Sequence, residues 1–391
     1  MTVLRFGIAG LGIGSAMALP WLERMTATRV VAAADVRPEA REQFTQKYGG
    51  QAYESVEAMC QDPELDAIWV ATPNDLHCQH VVAAANAGKH IVCEKPMATS
   101  VAEGLQMVEA AEKNGVKLVL GHPTDLNPAI QLMVGVARSG ELGRITQMAH
   151  WMYSDWLLKP RMPEEYDVNR GGGVVYRHGP HIVNTVRAIG GGMVRSVRSS
   201  WGAWMPERPA PGNHSTFLEF DDGTPATISY GGYGYFNTQE LAWGIGDRMY
   251  SAEQAIDVRR QLREGSFNVA GAKEEQRVEA RSVNAPTAPG GRKPTGLSFG
   301  IHLISCERGM LRHSQHGLFV YDDSGVREVP VEPEESELPE IRELIDAIET
   351  GREAKDDGRW GLATLEVLCA IMQSGRERRE IMLEHQVPVR G

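Results

Sequence analysis

The sequence predicts an α/β protein that opens with a doubly wound parallel sheet. Three observations carry this. A glycine-rich turn, Gly10-Leu11-Gly12-Ile13-Gly14, follows a short apolar strand at Leu4–Ala9 and precedes an amphipathic stretch through Trp21, Leu22 and Met25. A second strand, Arg29–Ala34, ends in Asp35. Strand and helix patterns then alternate through short connections as far as Leu120, which is the signature of repeated β-α-β units.

The first turn has the composition of a pyrophosphate cradle. Gly10 allows a tight turn and Gly12 lets the backbone approach a ligand. A helix starting near Ile13 and Gly14 offers free N–H groups and the positive end of its dipole. The usual third glycine is displaced, with Ser15 in its place and Gly14 one residue early. Asp35 is the natural partner for the ribose hydroxyls of NAD, and a carboxylate there repels the extra phosphate of NADP. Arg37 softens that repulsion, so NAD is preferred and NADP stays open.

Strand Leu65–Ala71 runs into Thr72-Pro73-Asn74-Asp75-Leu76-His77. Thr72, Pro73, Asn74 and His77 therefore stand where such loops face a cofactor. A helix from His77 to Ala87 stops at Gly88. The next strand, Ile91-Val92-Cys93, leads directly into Glu94-Lys95-Pro96. A lysine at the carboxyl end of such a strand points into the ligand crevice, and the proline fixes the turn behind it. Ser100 and Glu103 form a capping box for the following helix. Strand Val116–Leu120 then reaches Gly121-His122.

These residues resemble the Gfo/Idh/MocA oxidoreductases. The likeness rests on Gly10–Gly14, on Thr72-Pro73-Asn74 with His77, and on Ala87-Gly88-Lys89-His90 leading into Glu94-Lys95-Pro96. Gly171-Gly172-Gly173 with Gly179 and His181 extends it, so that it covers nearly the whole chain. The resemblance implies an NAD-binding Rossmann domain at 1–122 and a second α/β domain at 123–391. That second domain would carry a large, open, mostly antiparallel sheet, the substrate site and a homodimer or homotetramer interface. It also implies Lys95 and His181 as the catalytic pair, with Glu94 orienting Lys95 or the nicotinamide ribose.

In the second domain, Leu132–Ala137 reads as helix and Ile145–Trp151 as strand. Ser215–Phe220 and Pro225–Tyr230 flank Asp221-Asp222-Gly223, a hairpin signal. Residues 252–294 are charged and weakly periodic, and read as an excursion or loop. A strand is expected around Leu318–Tyr321, then helices at Pro339–Glu349 and Leu362–Arg376, within a C-terminal helical region at 339–376.

One departure from the family pattern bears on the substrate. Most relatives carry aspartate where Arg177 stands, and many carry it where Asn184 stands. On one helix, Arg177 and His181 would share a face. A guanidinium is shaped for bidentate carboxylate binding. Arg177 is thus expected to hold a substrate carboxylate, helped by Arg161 or Arg170; a structural ion pair is the alternative. Tyr153, Trp156 and Tyr176 add aromatic faces, and His178 lies beside them. Aromatic faces with cations suit a flat, anionic ring.

A narrower likeness agrees. Tyr153-Ser154-Asp155, Arg161–Glu165, Gly171–Val175, Pro180-His181, Gly191–Arg198, Phe217–Gly223 and Ser305–Gly309 resemble the phthalate-degradation branch of the family. That branch implies NAD-dependent oxidation of 4,5-dihydro-4,5-dihydroxyphthalate, a cis-dihydrodiol, to 4,5-dihydroxyphthalate. A ring hydroxyl would lose its proton while its carbon gives up hydride, and the product would become aromatic. His181 has the pKa range of a base near neutrality, and Lys95 could stabilise developing negative charge; the two roles are interchangeable at this stage. A sugar or inositol dehydrogenase and a non-catalytic NAD-binding regulator are the other readings.

Composition sets the limits. A chain of 391 residues with 42% hydrophobic content can bury two full cores. Its net charge of -11 argues against nucleic acid, and no apolar run is long enough to span a membrane. The five cysteines, Cys60, Cys78, Cys93, Cys306 and Cys369, are scattered, as in a reducing compartment. Met1 leads almost at once into a core strand, so no signal peptide and a cytoplasmic location are expected. His178 and His181 have no acidic ligand nearby, and Arg177 would repel a cation, so no metal is expected.

Overall fold

The structure, a computed structural model, describes residues 3–121, 126–241, 252–275, 299–331 and 338–390. The chain divides into two compact units, each built on its own sheet.

In the first unit the strands are β1 (Leu4–Ala9), β2 (Thr28–Ala34), β3 (Gln51–Tyr53), β4 (Ala67–Val70), β5 (His90–Cys93) and β6 (Leu118–Leu120). They lie in the order β3-β2-β1-β4-β5-β6, and every pairing is parallel. The helices between them are α1 (Ile13–Arg24), α2 (Pro38–Tyr48), α3 (Val56–Cys60), α4 (His77–Asn86) and α5 (Val101–Lys113). A sheet covered on both faces needs continuously apolar strands; β4, Ala-Ile-Trp-Val, is buried at every position. Strand order reverses at β1 and β4, the switch point where such sheets bind ligands. The capping box on α5 forms as expected, Glu103 N–H donating to Ser100 Oγ at 3.3 Å and Ser100 N–H to Glu103 Oε2 at 3.1 Å.

The helix Pro339–Thr350 corrects the expected domain boundary. Its Leu344, Ile341 and Ala347 share one core with Phe6, Ile8, Trp69, Val92 and Val119 of the Rossmann sheet. Residues 338–365 thus belong to the first unit, and the chain enters the second again within the helix Gly358–Glu377. The stripe of apolar residues shows that this helix covers something, but sequence separation does not say which sheet.

The second unit begins with α6 (Pro128–Arg138), β7 (Ile145–Tyr153), α7 (Gly173–Arg177) and α8 (Gly179–Gly190). Then come β8 (Val194–Gly202), β9 (Asn213–Phe220), β10 (Pro225–Gly231) and α9 (Ala252–Glu264). The strands β11 (Ile301–Cys306), β12 (Gly309–His313), β13 (Gly317–Asp322), β14 (Gly325–Pro330) and β15 (Ile381–Met382) complete it. The sheet order is β14-β13-β12-β11-β7-β10-β9-β8-β15. It is antiparallel apart from the β7–β10 pair, which is parallel. Alternating burial along β9 and β10 shows one face in the core, with α6 and α8 packed on the sheet. Part of the stretch read as a loop is the regular helix α9; residues 276–294 of it lie outside the described residues.

That buried face carries an unusual polar row. His150 on β7 lies 4.5 Å, centroid to centroid, from His302 on β11, and His302 lies 5.5 Å from His313 on β12. His214 on β9 stacks against Tyr230. All four imidazoles are buried, and each has an Nε2 with no hydrogen-bond partner among the described residues. Burial pushes His150 down to about 3, His214 and His313 to about 4, and His302 well below the usual histidine range.

Unfolded histidines take up protons near pH 6.5 and these folded ones do not, so the unfolded state gains protons as pH falls. Their contribution is therefore complete above about pH 6.5 and is lost toward pH 4. Each histidine should cost up to about 2 kcal/mol of stability at pH 5. Thermal melts from pH 7.5 to 5 should show a steep fall in Tm, and the double variant His150→Leu/His302→Leu should flatten it. An unchanged slope in that variant would remove the row as the cause.

Candidate active site

All the cofactor-type residues of the first unit follow the carboxyl ends of its strands. Gly10, directly after β1, has φ +89°, and a Cβ on it would sit 2.9 Å from the Ala71 carbonyl oxygen. Only glycine fits there. Gly12 caps α1, and a Cβ on it would meet nothing within 4 Å. Helix α1 starts inside the glycine turn itself, so the amides of Ile13 and Gly14 lie in its first turn and have no intrahelical acceptor. This is a cradle open to a pyrophosphate, and the residues present fit NAD.

Asp35, just past β2, is nearly buried and highly engaged. Its Oδ2 accepts from Leu11 N–H (2.8 Å) and Arg37 Nη2 (2.9 Å); its Oδ1 accepts from Arg37 N–H and Nε, both at 2.9 Å. Burial opposes its ionisation, but the Arg37 guanidinium and the two amides hold it below the usual carboxylate range. Arg37 also donates to Leu11 O at 2.9 Å, pinning the glycine turn to the Asp35 loop.

Thr72, Pro73 and Asn74 follow β4, with Thr72 Oγ1 2.9 Å from His80 Nδ1. His77 stands apart from its expected cofactor contact: its side chain is fully buried. Nδ1 lies 2.9 Å from Pro96 O and Nε2 2.9 Å from Thr72 O. A neutral ring donates to one of these carbonyls and a protonated ring to both. Burial lowers its pKa, while the carbonyls and Glu94 pull the other way. His77 thus ties the Thr72 loop to the turn that carries Lys95, and acts from behind both. Glu94 is buried, Lys95 is partly exposed, and the Lys95–Pro96 peptide is cis.

In the second unit, Arg177 ends α7 and His181 lies in the first turn of α8, with a break at His178 in place of one continuous helix. Their side chains have different surroundings. His181 is buried and stacks on Phe299 at 3.8 Å and 14°. Arg177 Nη2 meets Glu165 Oε1 at 3.2 Å, which realises the ion pair named as the alternative to substrate binding. Arg161 Nη1 reaches the same oxygen at 3.2 Å, and Lys273 Nζ reaches Oε2 at 2.8 Å. Arg170 is exposed in the turn before Gly171.

Two expected substrate residues are corrected. Trp156 is fully buried, with the Arg161 guanidinium 4.5 Å above its ring and His178 at its edge. Tyr176 points into the core toward Cys369 Sγ at 3.9 Å. Aromatic side chains in a glycine-rich motif look alike in sequence whether they line a site or support it. His178 is likewise buried, its Nδ1 2.7 Å from the Tyr230 hydroxyl, which lies 2.8 Å from Ser154 Oγ. Tyr153, at the end of β7, is 39% exposed. Glu165 entered the sequence analysis only within the Arg161–Glu165 likeness, although its i, i+4 spacing from Arg161 was a usable signal for the ion pair, and nothing local marks Lys273.

Residues 4–122 match the model of the oxidoreductase family with an NAD-binding Rossmann fold, and residues 130–243 match the GFO/IDH/MocA C-terminal domain. A crystal structure assigned as a dehydrogenase from Bordetella bronchiseptica RB50 is 32% identical, with a TM-score of 0.84, over 98% of this chain and 100% of that one. The chain belongs to the Gfo/Idh/MocA oxidoreductase family. It is an NAD-dependent oxidoreductase acting on CH–OH groups. It is also similar to 1-carboxy-3-chloro-3,4-dihydroxycyclohexa-1,5-diene dehydrogenase of Comamonas testosteroni, 28% identical over 95% of both chains. A structure of an Agrobacterium radiobacter oxidoreductase with NAD+, L-tartaric acid and magnesium shares the fold, at 17% identity and a TM-score of 0.72 over 97% of this chain and 98% of that one.

The Asp35 geometry generates a prediction about the cofactor. The ribose hydroxyls are expected to donate to this carboxylate, displacing some of the donors now on it. A charge-assisted hydrogen bond contributes about 1.5–3 kcal/mol, so Asp35→Ala should weaken NAD binding about tenfold or more. NADP should be affected less, which narrows the preference for NAD. Fluorescence titration with both cofactors measures this, and an unaltered NAD affinity would remove Asp35 from the ribose site.

Proposed function

We propose that this oxidoreductase converts a carboxylated cis-dihydrodiol to the corresponding catechol, with 4,5-dihydro-4,5-dihydroxyphthalate as the preferred substrate, in phthalate degradation. The observation that carries the reading is the likeness, over 95% of both chains, to a relative named for a carboxylated dihydroxycyclohexadiene.

Bound NAD would supply the hydride acceptor, held by Gly10–Gly14, Asp35 and the Thr72–Asn74 loop. The chain's own residues handle the proton. His181 and Lys95 are the groups that the family resemblance assigns to it, one taking the hydroxyl proton and the other donating a hydrogen bond to the oxygen. His77 positions Lys95 through the Pro96 carbonyl. Arg177, helped by Arg161 or Arg170, would hold the carboxylate end of the substrate in exchange for part of its pairing with Glu165, with Tyr153 offering a ring face. The enone formed by oxidation then tautomerises, a proton leaving the neighbouring ring carbon and one joining the carbonyl oxygen, and the aromaticity of the catechol drives the reaction forward.

Lys95→Ala and His181→Ala should each lower kcat about 10²–10⁴-fold, the usual contribution of a general acid or base, while NAD binding survives. Nicotinamide absorbance, followed with the dihydrodiol of phthalate and with glucose and myo-inositol, reports both substrate and rate. Turnover on the sugars with none on the dihydrodiol would overturn this function. Near-native kcat in either variant would remove that residue from the proton transfer.

A further inference from the structure

We propose that Phe299 is a positioning residue for His181: its ring, carried on a left-handed backbone, holds the plane of the imidazole that handles the proton. This rests on the reading above that gives His181 a part in proton transfer, and adds a residue from a distant stretch of the chain.

Phe299 adopts a conformation that side chains avoid. Its φ is +59°, and Phe299 and Arg378 are the two non-glycine residues with positive φ among those described. A β-carbon in this region crowds the following carbonyl oxygen, so a bulky residue stays there only when its surroundings hold it. The next residue accounts for the turn. Gly300 has φ +101°, and a Cβ on it would lie 2.6 Å from Trp151 O on β7 and 2.7 Å from His150 Cε1. Close approach to β7 therefore requires glycine at 300, and the chain passes through two left-handed residues before β11 begins at Ile301. That approach sets the backbone but makes no demand for a phenyl group at 299, where glycine or asparagine would meet the same φ with less strain. The contacts of the ring supply the compensation.

Those contacts converge on one imidazole. Phe299 lies face to face with His181, ring centroids 3.8 Å apart and planes inclined by 14°. Its other neighbour is edge-on, with His178 at 5.6 Å and 81°. His178 is itself fixed, its Nδ1 2.7 Å from the Tyr230 hydroxyl and its ring at the edge of Trp156. The phenyl ring is thus braced on one side and applied to His181 on the other.

His181 gains from such a surface. Helix α8 sets the direction of its Cα–Cβ bond, but the terminal torsion of a histidine is broad and roughly two-fold. The helix alone therefore leaves the direction of the ring nitrogens open. A flat ring stacked at van der Waals distance restricts that torsion, and an aromatic face also attracts the imidazolium once a proton has arrived. A proton acceptor works only within hydrogen-bond reach, so fixing the plane fixes which oxygen positions it can serve. A leucine at 299 would fill much of the space and leave the torsion free.

The test compares Phe299 variants of the full chain at saturating NAD, on whichever of the phthalate dihydrodiol, glucose and myo-inositol the wild type oxidises. Phe299→Leu should lower kcat about 10²-fold, the usual penalty of a small misplacement at the reacting atoms, with KM little changed. Phe299→Gly should lose as much kcat yet melt no lower than Phe299→Ala, because glycine accepts the left-handed backbone without strain. Phe299→Tyr keeps the flat face and should recover most of kcat. Tm and NAD titration show whether each variant folds; if Phe299→Leu does not, Phe299→Gly and Phe299→Tyr decide. Near-native kcat in folded Phe299→Leu or Phe299→Gly would overturn the proposal. A raised KM with kcat unchanged would make Phe299 a substrate contact instead, and a loss in Phe299→Tyr as deep as in Phe299→Leu would show that the ring plane is not what matters. Oxidation of the sugars and not of the dihydrodiol would sink the functional reading and leave this inference to the same variants. A wild type that oxidises none of the three would sink both.

Discussion

The first unit turns on the buried imidazole of His77, held between the carbonyl oxygens of Thr72 and Pro96. Thr72 opens the loop after β4, and Pro96 closes the turn after β5 that carries Glu94 and Lys95. These loops belong to neighbouring parallel strands, yet loops have few backbone partners of their own. A fully buried side chain that reaches both supplies what the sheet does not. It brings the expected cofactor loop and the expected catalytic lysine into one rigid body. Gly10, fitted against Ala71 O, and Asp35, bridged by Arg37 to Leu11 O, attach the remaining strand ends to the same edge. A catalytic constellation needs such support from behind, because small misplacements at the reacting atoms are costly.

In the second unit the organising constraint is charge. Buried cations persist only with partners, and Glu165 is the partner that Arg161, Arg177 and Lys273 share. The neighbouring wall of the site is aromatic and imidazole-rich: Trp156, His178, Phe299 and His181 touch in sequence, and Tyr230 anchors His178 from the sheet. The sheet of the same unit also carries the buried histidines His150, His302 and His313.

Local signals made much of this legible beforehand. The glycine turn, Asp35, the capping box at Ser100 and the strand running into Lys95 each depend on residues close together in the chain, and each stands where the pattern puts it. The hairpin around Asp221-Asp222-Gly223 is of the same kind. Readings that needed a partner distant in sequence fared differently. Trp156 and Tyr176 have the composition of a ligand-facing surface but are packed in the core. His77 has the spacing of a cofactor contact but is spent on two carbonyls. The helix after Pro339 shows its apolar stripe plainly and still returns to the Rossmann sheet, because any apolar sheet face would satisfy that stripe.

The sequence by itself determined the fold class, the family and the NAD-binding edge of the first unit. Periodicity, glycine conformational freedom and helix capping act over a few residues, so their physics is written locally. The tertiary structure alone decided which aromatic rings are buried, which loops His77 joins, and that Lys273 comes to Glu165 across 108 positions of chain. Side-chain burial and the pairing of charges depend on what packs against them in space, and a linear pattern of residue types does not contain that neighbour.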